Sequence, residues 1–243
     1  MTNEAEDLID VPEQDVSPQS GTLASSVYDQ LRDDLLSGRL KPGEKLRAEY
    51  LRERYNVGNS PIREALNRLS ADGLVVREDQ KGFHVSSVSK EDLAELVKTR
   101  CWLEETALRE SISNRNVEWE ERLVLAFHRV SRVPRSANER SYASNPEWER
   151  LHADFHRVMI SACGSRWLLA FCDQLRDQAD RYRQLAASAS FRQRNEGDEH
   201  RAIMDAAING DPDRAVELLK SHYSRTLEII DESDWPASIT AED

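Results

Sequence analysis

The chain has 243 residues, 39% hydrophobic and 32% charged, with only 9 Gly and 8 Pro. That is a soluble, helix-favouring mix, long enough for two domains or one large one. The N-terminus MTNEAEDLID is acidic without an apolar core, and no apolar run approaches the roughly 18 residues of a membrane span, so neither a secretory signal nor a membrane span is expected, and a cytoplasmic location is.

The net charge of −12 argues against a nucleic-acid partner only until it is divided along the chain. Residues 1–20 hold six acidic and no basic side chains, residues 21–88 hold ten and eleven, and the remaining 155 hold 29 and 22, giving −6, +1 and −7. DNA affinity follows local charge, so the middle segment, with Arg47, Arg52, Arg54, Arg63, Arg68 and Lys81, stays a candidate binder with modest non-specific affinity and strong salt sensitivity.

Residues 1–20, with hardly any large apolar side chains, are expected to be a disordered acidic tail. A first helix over about 23–37 places Val27, Tyr28, Leu31 and Leu35 on one face and stops at Ser37-Gly38. From Glu44 to Val88 the order is helix, tight turn, second helix and hairpin, which is a winged helix-turn-helix. Leu46 and Leu51 look inward, and Val57 anchors the turn. In the second helix Ser60 stands where an N-cap would be, Pro61 at the first helical position and Gly73 just past the end. Ile62, Ala65, Leu66 and Leu69 share one face, and Ser60, Arg63, Asn67 and Ser70 the opposite one, so the helix has a buried side and a reading side. LVV at 74–76 and FHV at 83–85 read as a hairpin with a basic Lys81-Gly82 tip suited to a phosphate backbone or the minor groove. Candidate DNA contacts are Arg47, Asn59, Ser60, Arg63, Asn67, Lys81 and Gly82. Ser89 caps the following helix, placing the boundary of a DNA-binding domain of residues 21–88 near Val88.

From Lys90 onward the periodicity is helical throughout, with segments at about 90–113, 116–131, 146–163, 166–189, 192–209 and 212–231. Six helices give a C-terminal all-α bundle over 89–232, followed by a disordered tail at 233–243, and the fold class is mainly α. Cys101, Cys163 and Cys172 are odd in number, lack C-x-x-C spacing and read as small buried hydrophobes. His152 and His156 lie one helical turn apart, His222 falls on the apolar stripe of Ala215, Leu218, Leu219 and Ile229, and His200 precedes Ile203 and Ala207 by one and two turns. Three helices thus aim four imidazoles at one interior, a candidate divalent metal site.

The run PGEKLRAEYLRERYNVGNSPIREALNRLSADGLV followed by QKGFHV resembles the DNA-binding domain of GntR-type bacterial transcription regulators. Val57, Pro61, Arg63, Glu64, Ala65, Leu66, Leu69, Gly73, Leu74 and Val75 fit the family pattern, whereas Gly58, Asn59 and Ser60 replace its usual Ser-Arg-Thr. The arginine absent at Asn59 is expected in the family to contact guanine or phosphate, so no operator sequence carries over. H-A-D-F-H at 152–156 and E-H-R-A-I-M-D-A-A-I-N-G-D with a later H-Y resemble the FCD domain of FadR-like members, in its six-helix, VanR-like form. The resemblance implies a metal held by His152, His156, His200 and His222, with His152 in place of an aspartate, an exchange that favours zinc or nickel while leaving manganese or iron open. It also implies a cavity-facing Arg100 pairing a small carboxylate effector, with Arg181 as a further candidate. The expected function is a ligand-responsive homodimeric regulator, a repressor by family habit, on a pseudo-palindromic duplex DNA operator. Two alternatives stay open: a metal-dependent enzyme, against which stands the lack of H-E-x-x-H and of any recognisable nucleophile, and a regulator that senses the metal itself.

Overall fold

The structure is a computed structural model that describes residues 22–138, 140–190, 194–232 and 238–239. The expectation for residues 1–20 lies outside the described residues. Among those described are nine α-helices and four short strands. Their buried apolar side chains form two separate clusters, one spanning Val27 to Val85 and the other Val88 to Ile230.

The first cluster belongs to α1 (Leu23–Leu36), α2 (Ala48–Tyr55), α3 (Asn59–Ala71) and the hairpin β1 (Val75–Glu78) and β2 (Gly82–Val85). Val27, Leu31 and Leu35 of α1 meet Ile62, Ala65, Leu66 and Leu69 of α3, as their helical spacing requires. The N-cap expectation is corrected. Gly58, in extended conformation, precedes α3, so Asn59 and Ser60 are its first two helical residues and Pro61 its third. Proline is tolerated there because the first four N–H groups of a helix have no internal partner. At the other end Gly73 adopts φ +75°, the left-handed exit its position suggests.

In the wing, Val75 faces Val85 and Glu78 faces Gly82, with Gln80 at φ 65° and Gly82 at φ 94° turning the tip. The chain before α2 closes its other edge: Leu46 N–H donates to Phe83 O at 2.8 Å and Val85 N–H to Glu44 O at 2.9 Å. This pairing pins the wing to the base of α2.

Asp34 holds α1 to α2. Its carboxylate accepts from Arg54 Nη2 at 2.6 Å, Arg39 Nε at 2.5 Å and the Tyr55 hydroxyl at 2.7 Å. Burial pushes Asp34 upward, but the bonds from Tyr55, Arg39 and Arg54 outweigh it and hold the carboxyl below the usual range. Asp34→Ala strands two cations and a phenol and is expected to destabilise this half by about 3 kcal/mol. Urea unfolding followed by circular dichroism reads the loss, while tryptophan fluorescence reports only the other half, because all 5 Trp lie beyond residue 100. An early transition in tryptophan emission would contradict this placement.

The second cluster is built by α4 (Lys90–Ser113), α5 (Val117–Ser131), α6 (Pro146–Met159), α7 (Arg166–Ser190), α8 (Glu196–Ile208) and α9 (Pro212–Asp231). Caps follow the sequence: Ser89 accepts from Asp92 N–H, Asn116 from Trp119 N–H, Asn145 from Glu147 N–H and Asp211 from Arg214 N–H. One tail expectation is corrected. Within 233–243, β4 (Ser238–Ile239) pairs antiparallel with β3 (Val88–Ser89), giving the backbone at the domain junction a strand partner that side-chain pattern cannot announce.

The two halves meet along α7. Asp177 Oδ2 accepts from Arg32 of α1 at 2.5 Å (Nη2) and 3.0 Å (Nε), and Gln178 Nε2 donates to Asp72 O at 2.8 Å. Arg181 donates to Ser86 O at the end of the wing.

Candidate metal centre and nucleic-acid interface

His152 and His156 of α6, His200 of α8 and His222 of α9 converge, with relative exposures of 6, 3, 2 and 6%. One nitrogen from each lies within 4.8 Å of all the others. Their partners fix which nitrogen faces inward. His222 Nδ1 lies 2.7 Å from Glu199 Oε2 and 3.0 Å from Arg194 Nη2; that Arg194 nitrogen already donates to Glu199 and to His222 O at 2.6 Å each, and the acceptor-only carboxylate assigns the Nδ1 proton to the Glu199 bond. Tyr223 donates its hydroxyl proton to Glu104 Oε2, so its oxygen accepts from His156 Nδ1 at 3.3 Å. Both rings then turn an unprotonated Nε2 to the interior, the outer-shell arrangement that orients metal-binding histidines. His152 is fixed differently, by stacking on Trp148 at 4.6 Å and 14°.

The cluster suits a divalent cation once its rings close slightly, since nitrogens up to 4.8 Å apart must come within about 4.2 Å to share one ion. The Nε2 atoms of His152 and His156 are 3.2 Å apart, the separation of two ligands each about 2.0–2.1 Å from one ion. His200 Nε2 is buried without a hydrogen-bond partner, which burial of a polar nitrogen normally forbids. Burial, then the neighbouring imidazoles and arginines, holds His152, His156 and His222 well below the usual histidine range. Burial likewise pushes His200 down to about 3. All four are neutral at neutral pH and need shed no proton to ligate.

This has a measurable consequence for the metal-free protein. Below pH about 6.5 the unfolded chain protonates these imidazoles while the native chamber does not, so stability falls as pH drops, each ring contributing up to about 1.4 kcal/mol per pH unit. Urea unfolding between pH 7.5 and 5 is expected to give a steep slope that His156→Phe makes shallower. An unchanged slope would mean that the native ring takes up its proton as readily as the ring of the unfolded chain.

Arg100, expected to face the cavity, borders the chamber and is buried, donating through Nε to Glu104 Oε1 at 2.9 Å and lying 4.0 Å from the Tyr223 ring centroid. The effector assignment of Arg181 is corrected. Its guanidinium binds Ser86 O and Gln178 Oε1 at the domain junction, because the chamber-facing stripe of α7 runs through Arg176, Asp180 and Arg183, and Arg181 is one residue, about 100°, off it. Sequence reasoning missed Arg176 and Arg183, legible only as an i, i+7 pair. It also missed Arg194, which chelates Glu199 through Nε at 2.9 Å and Nη2 at 2.6 Å and so steadies the His222 support.

On the other half, Arg47, Asn59, Ser60, Arg63, Asn67, Lys81 and Gly82 are all exposed. Asn59, Ser60, Arg63 and Asn67 line one shallow groove along α3. Among the described residues Arg63 has no hydrogen-bond or ion-pair partner, whereas Arg54 is spent on Asp34 and Arg68 stacks at 4.1 Å on the Tyr28 ring. Lys81 Nζ lies 3.0 Å from Glu78 in an exposed pair, worth too little to resist a phosphate.

Comparison with known proteins gives two family matches, residues 23–85 to the bacterial regulatory proteins of the gntR family and residues 95–225 to the FCD domain. The chain is 39% identical over 210 residues to the HTH-type transcriptional regulator BphR of Paraburkholderia xenovorans (strain LB400), covering 86% of this chain and 85% of that protein. It is 32% identical to the HTH-type transcriptional repressor GlaR of Escherichia coli (strain K12), covering 85% and 94%. Among solved structures, Escherichia coli McbR/YncC superposes with TM-score 0.73 at 20% identity over 87% of this chain and 98% of that one. A GntR transcriptional regulator from Rhodococcus sp. RHA1 superposes with TM-score 0.70 at 21% identity over 88% and 100%. At these identities the structural matches bear on the fold alone. No helix among the described residues is long and apolar enough to cross a membrane.

Proposed function

The chain belongs to the gntR family of bacterial regulatory proteins, carries an FCD domain and is a DNA-binding transcription regulator rather than an enzyme; from that premise we propose that its helical domain binds a divalent cation on His152, His156, His200 and His222 and a small carboxylate effector that sets operator occupancy. The observation that carries this reading is the convergence of four buried, neutral imidazoles, two of them oriented by Glu199 and Tyr223. A bound cation supplies a fixed positive charge where the chamber otherwise offers only arginines already matched to carboxylates. An all-imidazole set leaves that charge undiminished, which favours zinc or nickel and a firmly held anion.

Arg100 takes the effector carboxylate by exchanging part of its pairing with Glu104. The signal runs through α7. Arg176 and Arg183 line the chamber on one side and, on the other, a cleft of about 530 Å³ that Arg32 and Leu36 of α1 help to close. Arg176 Nη1 binds Asp173 at 2.6 Å, and the neighbouring Asp177 holds Arg32. A shift of this stripe changes the grip on α1 and hence the setting of α3, and a coupling of only about 1–3 kcal/mol suffices.

DNA is read by α3 through Arg63, Asn67, Asn59 and Ser60, with Arg47, Lys81 and Gly82 on the flanking backbone. The protein acts as a homodimeric repressor on a pseudo-palindromic site. Supporting the dimer, α4 and α7 expose Trp102 at 60%, Trp167 at 66% and Phe171 at 54%, large apolar side chains for a lone molecule to leave in water. The test is titration of an operator fragment with zinc-loaded protein, with and without organic acids and chelator. Acids are expected to shift affinity by about 5- to 150-fold, and chelator is expected to remove that response. A chelator effect with no acid dependence would make the cation itself the signal.

A further inference from the structure

The tip of α3 holds two residues that the fold itself does not call for. Gly58, the last residue before the helix, has extended backbone at φ −75° and ψ 177°, a conformation that any residue adopts. A methyl group added there would meet nothing within 4 Å. Neither a left-handed turn nor crowding within the chain requires glycine at this point, and the remaining use of a glycine is to let backbone come close to a ligand.

Asn59 follows as the first helical residue. It is exposed and, among the described residues, makes no hydrogen bond or ion pair, so its amide is spent neither on the turn nor on the helix end. Asn59, Arg63 and Asn67 succeed one another at four-residue steps along the groove of α3, about 6 Å apart. Asn59 stands at the leading end, where a recognition helix contacts base edges in the major groove.

The chemistry of the amide then names the base. A phosphate offers only acceptors, so an amide placed there uses its NH₂ group and leaves its carbonyl facing negative oxygens. In the major groove guanine presents two acceptors, cytosine a donor, and thymine an acceptor beside a methyl group. Adenine alone sets a donor at N6 beside an acceptor at N7, and so meets both ends of an amide at once. The asparagine side chain is much shorter than that of Arg63, so this contact forms only where the backbone at the tip comes close to the base edge, and a bare Gly58 leaves room for that approach.

We propose that Asn59 sets operator specificity at one position of each half-site, reading adenine through N6 and N7, and that Gly58 lets the tip of α3 come close enough for it to do so. The inference rests on the reading of DNA by α3 given above and names the base selected there.

The test is selection of duplexes from a randomised pool by the full-length protein, read by sequencing, followed by affinity measurements on the duplex recovered. One position in each half-site is expected to favour adenine by about 5- to 150-fold, the discrimination of one bidentate pair. Asn59→Ala is expected to erase the preference at that position and to leave those at the others. Replacing that adenine by 7-deazaadenine, which lacks the N7 acceptor, is expected to weaken the parent protein by about fivefold, the worth of one hydrogen bond, and the Asn59→Ala protein not at all. Gly58→Ala is expected to keep the thermal transition, since this backbone suits alanine, yet to bind the duplex about 5- to 150-fold more weakly, the range that an extra methyl group costs in a close-packed contact. Half-sites without a preferred adenine, preferences unchanged by Asn59→Ala, or parent protein that binds 7-deazaadenine as it binds adenine would overturn the assignment of Asn59 and leave DNA binding by α3 standing. Unaltered affinity in Gly58→Ala would overturn the close approach. A parent protein that recovers no common sequence from the pool would overturn the reading of DNA by α3 as well.

Discussion

Arg63→Ala is expected to lower operator affinity by about 5- to 150-fold per half-site, the 1–3 kcal/mol that one well-placed base or phosphate contact supplies. The expectation follows from position and availability. Arg63 projects from the solvent face of α3, opposite the buried Ile62, Ala65, Leu66 and Leu69, and no carboxylate among the described residues engages it. Loss of an exposed, unpaired side chain leaves the fold alone, so zinc content and the thermal transition should match the parent protein. A gel shift over a range of salt concentrations separates the two roles. If Arg63 reads a base, the variant loses discrimination between operator and random duplex. If it neutralises a phosphate, affinity falls on both and the salt slope drops by about one. Unchanged operator affinity would move the reading surface away from α3.

His200→Ala is expected to have the larger effect on the other half. It removes one of four ligands, a heavier loss than that of an outer-shell partner, which alone costs about 10- to 100-fold in metal affinity. A thousandfold excess of zinc over its dissociation constant stabilises the parent by about 4 kcal/mol, or roughly 10 °C in a chain of this size. The variant should lose that zinc-dependent rise and all effector response while its metal-free form still binds DNA. Since His200 Nε2 lacks a hydrogen-bond partner, truncation breaks no internal bond at that atom, and the metal-free variant should fold. Equal damage to DNA binding and zinc stabilisation in both Arg63→Ala and His200→Ala would contradict the division of labour between the two halves.

The elements and the four histidines were legible in the chain because each depends on a local period or cap. Leu93, Val97 and Leu108 mark α4 as plainly as Asn145-Pro146 opens α6. What escaped depends on distance in sequence. Glu199 sits beside His200 yet serves His222, 23 positions on, and only the packing of α8 against α9 brings them together. Arg181 was misread because one residue on a helix is about 100° of rotation, enough to move a guanidinium from chamber to domain junction. Ser60 was misread because serine before proline is a strong cap signal, but here Gly58 already supplies the extended backbone that a cap position requires and α3 starts at Asn59. The strand pair at Val88 and Ile239 has no side-chain period at all, being two residues long on each side.

The four-imidazole chamber is tested most directly by X-ray absorption at the zinc edge on full-length protein reconstituted with one equivalent of zinc. Four imidazole nitrogens at about 2.0–2.1 Å from a single tightly retained ion are the expected result. A sample that loses its zinc on dialysis, or a spectrum with two imidazoles or fewer around the ion, would contradict it.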